Sequence, residues 1–227
     1  MSSFLRGEPR QEPEPELRGE TIPSKIVTSV EELLEVQKAD EVNGKTETED
    51  KPQNKKSPPP ASTEIDISKL DIRVGVIKKA WLHEEADKLF CEEIDIGEES
   101  PRQIASGLRA HYNLEDLEGQ RVLVLANLKA RKLVGFPSHG MVLCASGSDG
   151  SVKFVEPPAD AAIGERIMVE GFDGEPATEN QVIKKKMLEA IFPDLKTNAS
   201  GIACYKGIPL STSAGPCQPT IANAEVA

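Results

Sequence analysis

Leu70, Ile72, Val74 and Val76 alternate with Asp71, Arg73 and Gly75, a period of two that predicts a strand with one buried and one exposed face. Short apolar runs predict further strands near residues 90–96, 103–106, 121–126, 140–145, 152–155 and 166–170. Turn chemistry separates them at Gly97, Glu118-Gly119, Gly147-Ser-Asp-Gly150 and Pro157-Pro158. Strands this short and close, with no long helix between them, predict a small barrel or sandwich, and a five-stranded Greek-key barrel fits. His83 opens a turn into a short helix expected over residues 84–89. The segment from Ser146 to Ser151 reads as a hairpin turn, because it lacks the Gly-Lys-Ser/Thr ending of a phosphate loop.

Past Gly171 the period changes. Thr178 and Gln181 have capping-box spacing, and Ile183, Met187 and Ile191 form one helical stripe with Leu188 and Phe192 beside it. Pro193 should stop that helix, with strands following near residues 202–205 and 209–212. Residues 1–63 read as a disordered arm, acidic and rich in proline, ending in the stiff run Pro58-Pro-Pro60. Inside it, Ser29-Val-Glu-Glu32 matches a capping box, with Val30, Leu33, Leu34 and Gln37 on one face of a short helix over residues 29–38. The layout is an arm over 1–63, a barrel domain over 64–170 and an extension over 171–227.

Composition narrows the function. Hydrophobic residues make up 38% of the 227 and aromatics only 4%, so the core is aliphatic. Trp81 and Tyr112 stand apart in the sequence, so no aromatic platform for stacked bases is expected. No apolar run reaches the ~18 residues of a membrane span. The acidic start fits neither a secretory signal nor a transit peptide, and Cys91, Cys144, Cys204 and Cys217 lack metal or disulfide spacing. The cytoplasm is the expected address. Net charge is −11; residues 64–227 carry 18 basic and 25 acidic groups, or 18 − 25 = −7. Any affinity for nucleic acid must come from a local patch.

The candidate patch runs from Asn127 to Met141. Lys129, Arg131 and Lys132 put three cations into four residues of an expected loop, followed by Ser138 and Gly140. Cations attract phosphate, and a hydroxyl beside bare backbone lets a ribose or base edge approach. Arg73 joins the set as an outward residue of the first strand, while Lys184-Lys-Lys186 splits its charges around a helix and is the weaker candidate. Enzyme chemistry finds little support. His83-Glu84 lacks the second histidine of a zinc protease, since Asp87 stands there, and no Gly-x-Ser-x-Gly occurs. The acids Glu92, Glu93, Glu98 and Glu99 read as solvated surface. No catalytic residue, metal site or cofactor is expected.

The order of several motifs resembles the tRNA-binding domain of the endothelial monocyte-activating polypeptide family. They are Leu70-Asp-Ile-Arg-Val-Gly-Val, His83-Glu-Glu-Ala-Asp-Lys-Leu89, Ser106-Gly-Leu108, Asn127-Leu-Lys129, Ser138-His-Gly-Met141, Pro193-Asp-Leu195 and Cys204-Tyr-Lys-Gly207. The family includes auxiliary tRNA-binding proteins of synthetase complexes and C-terminal appendages of some methionyl- and tyrosyl-tRNA synthetases. The resemblance implies an all-β oligonucleotide-binding barrel and a C-terminal α+β extension that mimics a second subunit and keeps the chain monomeric. It implies Ala86 packed, Leu89 in the core, and Asn127, Lys129, Arg131, Lys132, Ser138 and Met141 on the tRNA surface, with His139 where many members carry glutamine or glutamate. Arg73 is added to that surface from the strand alternation. The implied partners are tRNA and a methionyl-, tyrosyl- or glutamyl-tRNA synthetase. Two other classes stay open: a synthetase-complex scaffold with incidental RNA binding, and a cytokine-like signal. Against the cytokine class, the heptapeptide from Arg73 to Lys79 has Val76 where cytokine members carry cysteine. The arm offers only Lys55 and Lys56 near the domain, where several members are lysine-rich.

Overall fold

The structure, a computed structural model, describes residues 64–227, so the helix expected over residues 29–38 lies outside them. Strand β1 (Ile72–Leu82) pairs antiparallel with β2 (Phe90–Asp95), which pairs with β3 (Arg102–Ser106). On its other edge β1 meets β4 (Arg121–Leu125). A hairpin of β5 (Arg131–Leu133) and β6 (Phe136–Ser138) precedes β7 (Met141–Val142), which pairs with β4. The sheet order β3-β2-β1-β4-β7 curls until its ends meet. The His139 N–H donates to the Gln103 carbonyl at 2.8 Å, and the Ala105 N–H donates to Ser138 Oγ at 3.1 Å. The fold is a nearly closed five-stranded oligonucleotide-binding barrel, all-β as its sequence predicts. The helix expected over residues 84–89 is instead a turn, and Leu89 is only half-buried.

Both faces of the central strands are buried. Ile77, Ile94, Ile104, Val122, Val124 and Val142 fill the barrel. Ile72, Val74, Leu123, Leu125, Leu143 and Ala145 belong to a second core outside it. The first strand therefore lacks the exposed face that its alternation predicts. The covering layer is the extension, which contributes Val182, Met187, Leu188, Ile191, Leu195 and Tyr205.

The extension also shares a sheet with the barrel. Strands β8 (Cys144–Ser146) and β9 (Val152–Phe154) form the expected hairpin. Beside them lie β10 (Leu195–Thr197), β11 (Ala203–Tyr205), β12 (Ile208–Pro209) and, after the small hairpin β13 (Ser211–Thr212) and β14 (Gly215–Pro216), β15 (Glu225–Val226). The order β12-β11-β10-β15-β8-β9 runs from extension to barrel. The segment at 166–170 is not a strand; it makes two single bridges, Arg73 to Arg166 and Met168 to Ser211. The expected long helix is two short ones, α1 (Glu179–Lys184) and α2 (Met187–Ile191), broken where Lys186 adopts φ 49°. Thr178 and Gln181 do form the capping box. The break turns Val182 rather than Ile183 into the core, and the second helix ends at Ile191, with Pro193 in the tight 3-10 turn Phe192–Asp194 that follows.

Glu92 corrects a further expectation. It shares the inner face of β2 with Phe90 and Ile94 and is fully buried. Its Oε1 accepts the Ser106 hydroxyl, while Oε2 has no partner. Burial pushes its carboxyl up to about 7, against the pull of the Ser106 hydrogen bond. The folded state thus holds a proton that the unfolded chain releases near 4.5. Stability should be fully present below that value and fall as pH rises towards 7. In urea titrations, Glu92→Gln should flatten this dependence and gain up to about 3 kcal/mol over the wild type at pH 8. Parallel pH profiles for the two proteins would refute the assignment.

Candidate nucleic-acid interface

The basic stretch after β4 is an ordered hairpin rather than the loop its composition predicts. Arg131 pairs with Ser138, Lys132 with Pro137 and Leu133 with Phe136. Val134 and Gly135 make the two-residue turn at φ 47° and 86°. Hairpins favour such left-handed pairs because their twist matches the strands, but a β-branched valine is strained there by about 1–2 kcal/mol. Cross-strand pairing sets the faces. Arg131, Leu133, Phe136 and Ser138 look towards the barrel and are half-buried or buried, whereas Lys132 is exposed on the other face.

Three anchors hold the hairpin. At its base, Asn127 is buried and Oδ1 accepts the Asp71 N–H at 2.9 Å. Its Nδ2 donates to the carbonyls of Lys69 and Ala177, both at 2.9 Å. At its far end, Ser138 Oγ donates to the Gly140 carbonyl as well as closing the barrel. A Cβ on Gly140 would sit 3.0 Å from the Leu125 carbonyl oxygen, so glycine permits the close return. In the middle, Phe136 packs edge-on against Trp81 with ring centroids 5.8 Å apart and against His83 at 6.3 Å.

This architecture redistributes the expected contact residues. Lys129, Lys132 and His139 are exposed on or beside the hairpin. Asn127 and Ser138 are corrected: buried and hydrogen-bonded internally, their side chains shape the surface without facing solvent. Met141 is half-buried and packs against the second core. Arg73 is corrected too. Its partner on β4 is Val124, an interior residue, so it lies at the barrel mouth and not on an outward face. Its guanidinium grips Asp71 at 2.8 Å, and that hydrogen bond holds its charge more firmly than usual. Arg131 is half-buried and engaged. On the extension, the Lys186 ammonium lies 3.7 Å from Glu189.

Other residues near the hairpin escaped sequence reasoning. β1 bulges between Ile77 and Lys79, which turns both Lys78 and Lys79 to solvent. Two lysines in succession after an alternating run are the sequence mark of that bulge. Trp81, expected to be isolated, stands in a ring cluster, and Tyr112 stacks on Phe154 at 4.4 Å. Arg102 binds Glu98 through two hydrogen bonds and donates to the carbonyls of Ala126 and His139. That fork also holds the Glu98 carboxyl below its usual range. The adjoining cleft of 380 Å³ carries Glu98 and Glu179 on its rim, a poor setting for phosphate.

A family model described as a putative tRNA binding domain matches residues 72–166. Over 168 residues the chain is 46% identical to a probable methionine–tRNA ligase of Oryza sativa subsp. japonica, covering 73% of this chain and 21% of that protein. Over 203 residues it is 39% identical to the aminoacyl tRNA synthase complex-interacting multifunctional protein 1 of Mus musculus, covering 87% of this chain and 65% of that one. The chain thus spans about a fifth of the plant ligase and less than two thirds of the mouse protein. The crystal structure of the C-terminal domain of Plasmodium vivax p43 superposes with a TM-score of 0.67 at 36% identity, covering 72% of this chain and all of that one.

If Asn127 works as a buried latch, Asn127→Ala should lower stability by about 2–4 kcal/mol, because it strands a buried N–H and two carbonyls. Urea unfolding monitored by circular dichroism would measure it. A loss below about 0.5 kcal/mol, in the range of ordinary surface substitutions, would show that the latch is not needed.

Proposed function

The chain belongs to the putative tRNA-binding-domain family, and on that premise we propose that it is a non-catalytic protein that binds tRNA by shape and backbone and assists aminoacyl-tRNA synthetases. The observation that carries this reading is the anchored hairpin, which holds Lys129 and Lys132 exposed between β4 and β7. In oligonucleotide-binding barrels that connection is one of the loops that grips nucleic acid. Its cations suit phosphate, and the exposed His139 can exchange hydrogen bonds with ribose or base. Arg131 and Arg73 support the surface from half-buried positions, and Asn127, Ser138 and Met141 set its shape.

The synthetase served is of the methionyl, tyrosyl or glutamyl type; similarity to a stretch of a methionine–tRNA ligase favours the first. The working compartment is the cytoplasm, where four buried unpaired thiols stay reduced. Among the described residues no helix is long and apolar enough to cross a membrane. The extension from residue 171 takes the place of a second subunit, since it already covers the apolar outer face of the barrel, and the protein works as a monomer.

Two measurements test this. For the full chain binding bulk tRNA, replacing Lys129 and Lys132 together by Ala should flatten the slope of log affinity against log salt by roughly one to two units. An unchanged slope would remove the hairpin from the phosphate contacts. A chain ending at Glu170 should dimerise or precipitate, because the outer core would be bare, while the full chain sediments as a monomer. A truncated form that stays soluble and monomeric would overturn the pseudo-dimer.

A further inference from the structure

We propose that Trp81, with Lys79, His83 and Phe136 around it, is a stacking site for an unpaired base of the bound RNA. The inference deepens the tRNA-binding reading and rests on it. Past the bulge in β1, Lys79 and Trp81 lie two residues apart and so share an outward face, with His83 next in line. The chain's single tryptophan is therefore held on the barrel's surface, half-exposed. Phe136 reaches it from the hairpin and meets it at 77°, and meets His83 at 76°. The Lys79 ammonium sits over the Trp81 ring, 5.3 Å from its centroid. The lysine tip is flexible and can give up the ring face it covers to a ligand.

The chemistry of the patch selects a planar ligand over a bare anion. Glu93 stands opposite Lys79 across the ladder and offsets its charge. Val134 is 52% exposed at the tip of the hairpin that carries Phe136, which adds apolar surface beside the patch. A nucleobase has the flat, weakly polar face that such a surface accepts, and aromatic stacking does not depend on which base it is. When a base lies on Trp81, the Lys79 ammonium is displaced towards the flanking phosphate. Lys129 and Lys132, on the same hairpin segment, hold the backbone that delivers the base.

Because Trp81 is the only tryptophan, its fluorescence reports on the site directly. The full chain is titrated with a short single-stranded oligoribonucleotide and with an abasic oligomer of equal length and charge; tRNA binding is followed in parallel by gel shift. The base-bearing oligomer should quench Trp81 and the abasic one should not. Trp81→Leu should weaken oligomer binding about 5- to 100-fold, while Trp81→Phe, which keeps a ring, should retain most of it. Absent quenching, equal quenching by the abasic oligomer, or full affinity in Trp81→Leu would overturn the stacking site. The wild-type titration decides the matter even if Trp81→Leu fails to fold. Bound tRNA with unquenched Trp81 would sink only the stacking site, whereas failure to bind tRNA at all would sink the tRNA-binding reading with it.

Discussion

Burial on both faces of β1 and β4 is the constraint from which the rest of the structure follows. Val122 and Val124 point into the barrel, while Leu123 and Leu125 point out of it. A five-stranded barrel can satisfy only the inward set. The outward set, continued by Ile72, Val74, Leu143 and Ala145, would leave an apolar patch that water disfavours. The extension covers it with two short helices and a shared six-stranded sheet. With that face covered, the end of β1, the turn that follows it and the tip of the β5–β6 hairpin remain exposed.

Much of this was legible in the sequence. The barrel strands were legible as short apolar runs between turn residues, and the capping box at Thr178 and Gln181 is local chemistry that a short segment decides for itself. The continuous run Val122-Leu-Val-Leu-Ala126 also carried a sign that alternation elsewhere obscured, because unbroken apolar strands are those buried on two faces. The hairpin was hidden for a local reason: its strands are three residues each, and Val134 occupies a turn position where asparagine or glycine would announce it. The helix break at Lys186 likewise uses a lysine in a left-handed conformation that glycine normally marks. Long-range partners were harder still. Asn127 looks like an RNA ligand until Asp71, Lys69 and Ala177, all at least 50 residues away in sequence, are seen to consume its amide. Glu92 and Glu93 are indistinguishable neighbours in sequence, yet the pleat sends one inside and the other out.

Charge follows a similar division. The chain is acidic overall, and several of its cations are committed to acids: Arg73 to Asp71, Arg102 to Glu98 and Lys186 to Glu189. Arginine takes the half-buried positions because its planar fork can bind a carboxylate and backbone carbonyls together, as Arg102 does. Lys78 lies 3.8 Å from Asp95, whereas Lys129 and Lys132 are exposed at the base and on the outer face of the hairpin. A nucleic acid approaching this protein meets a generally repulsive field with one locally attractive region. Such an arrangement disfavours adventitious anions elsewhere and orients the ligand before contact.

Asn127 connects these two halves of the design. Its amide joins the carbonyl of Ala177, in the extension, to Lys69 and Asp71 at the start of β1, while its own backbone leads directly into the basic hairpin. Docking of the extension and fixing of the hairpin base therefore share one buried hydrogen-bonded node. A binding loop that is already ordered loses less conformational entropy when its ligand arrives, so Lys129 and Lys132 can contribute more of their attraction to affinity. Through this node the extension supports the base of the hairpin. Covering the outer core and fixing the base of the hairpin are consequences of the same packing.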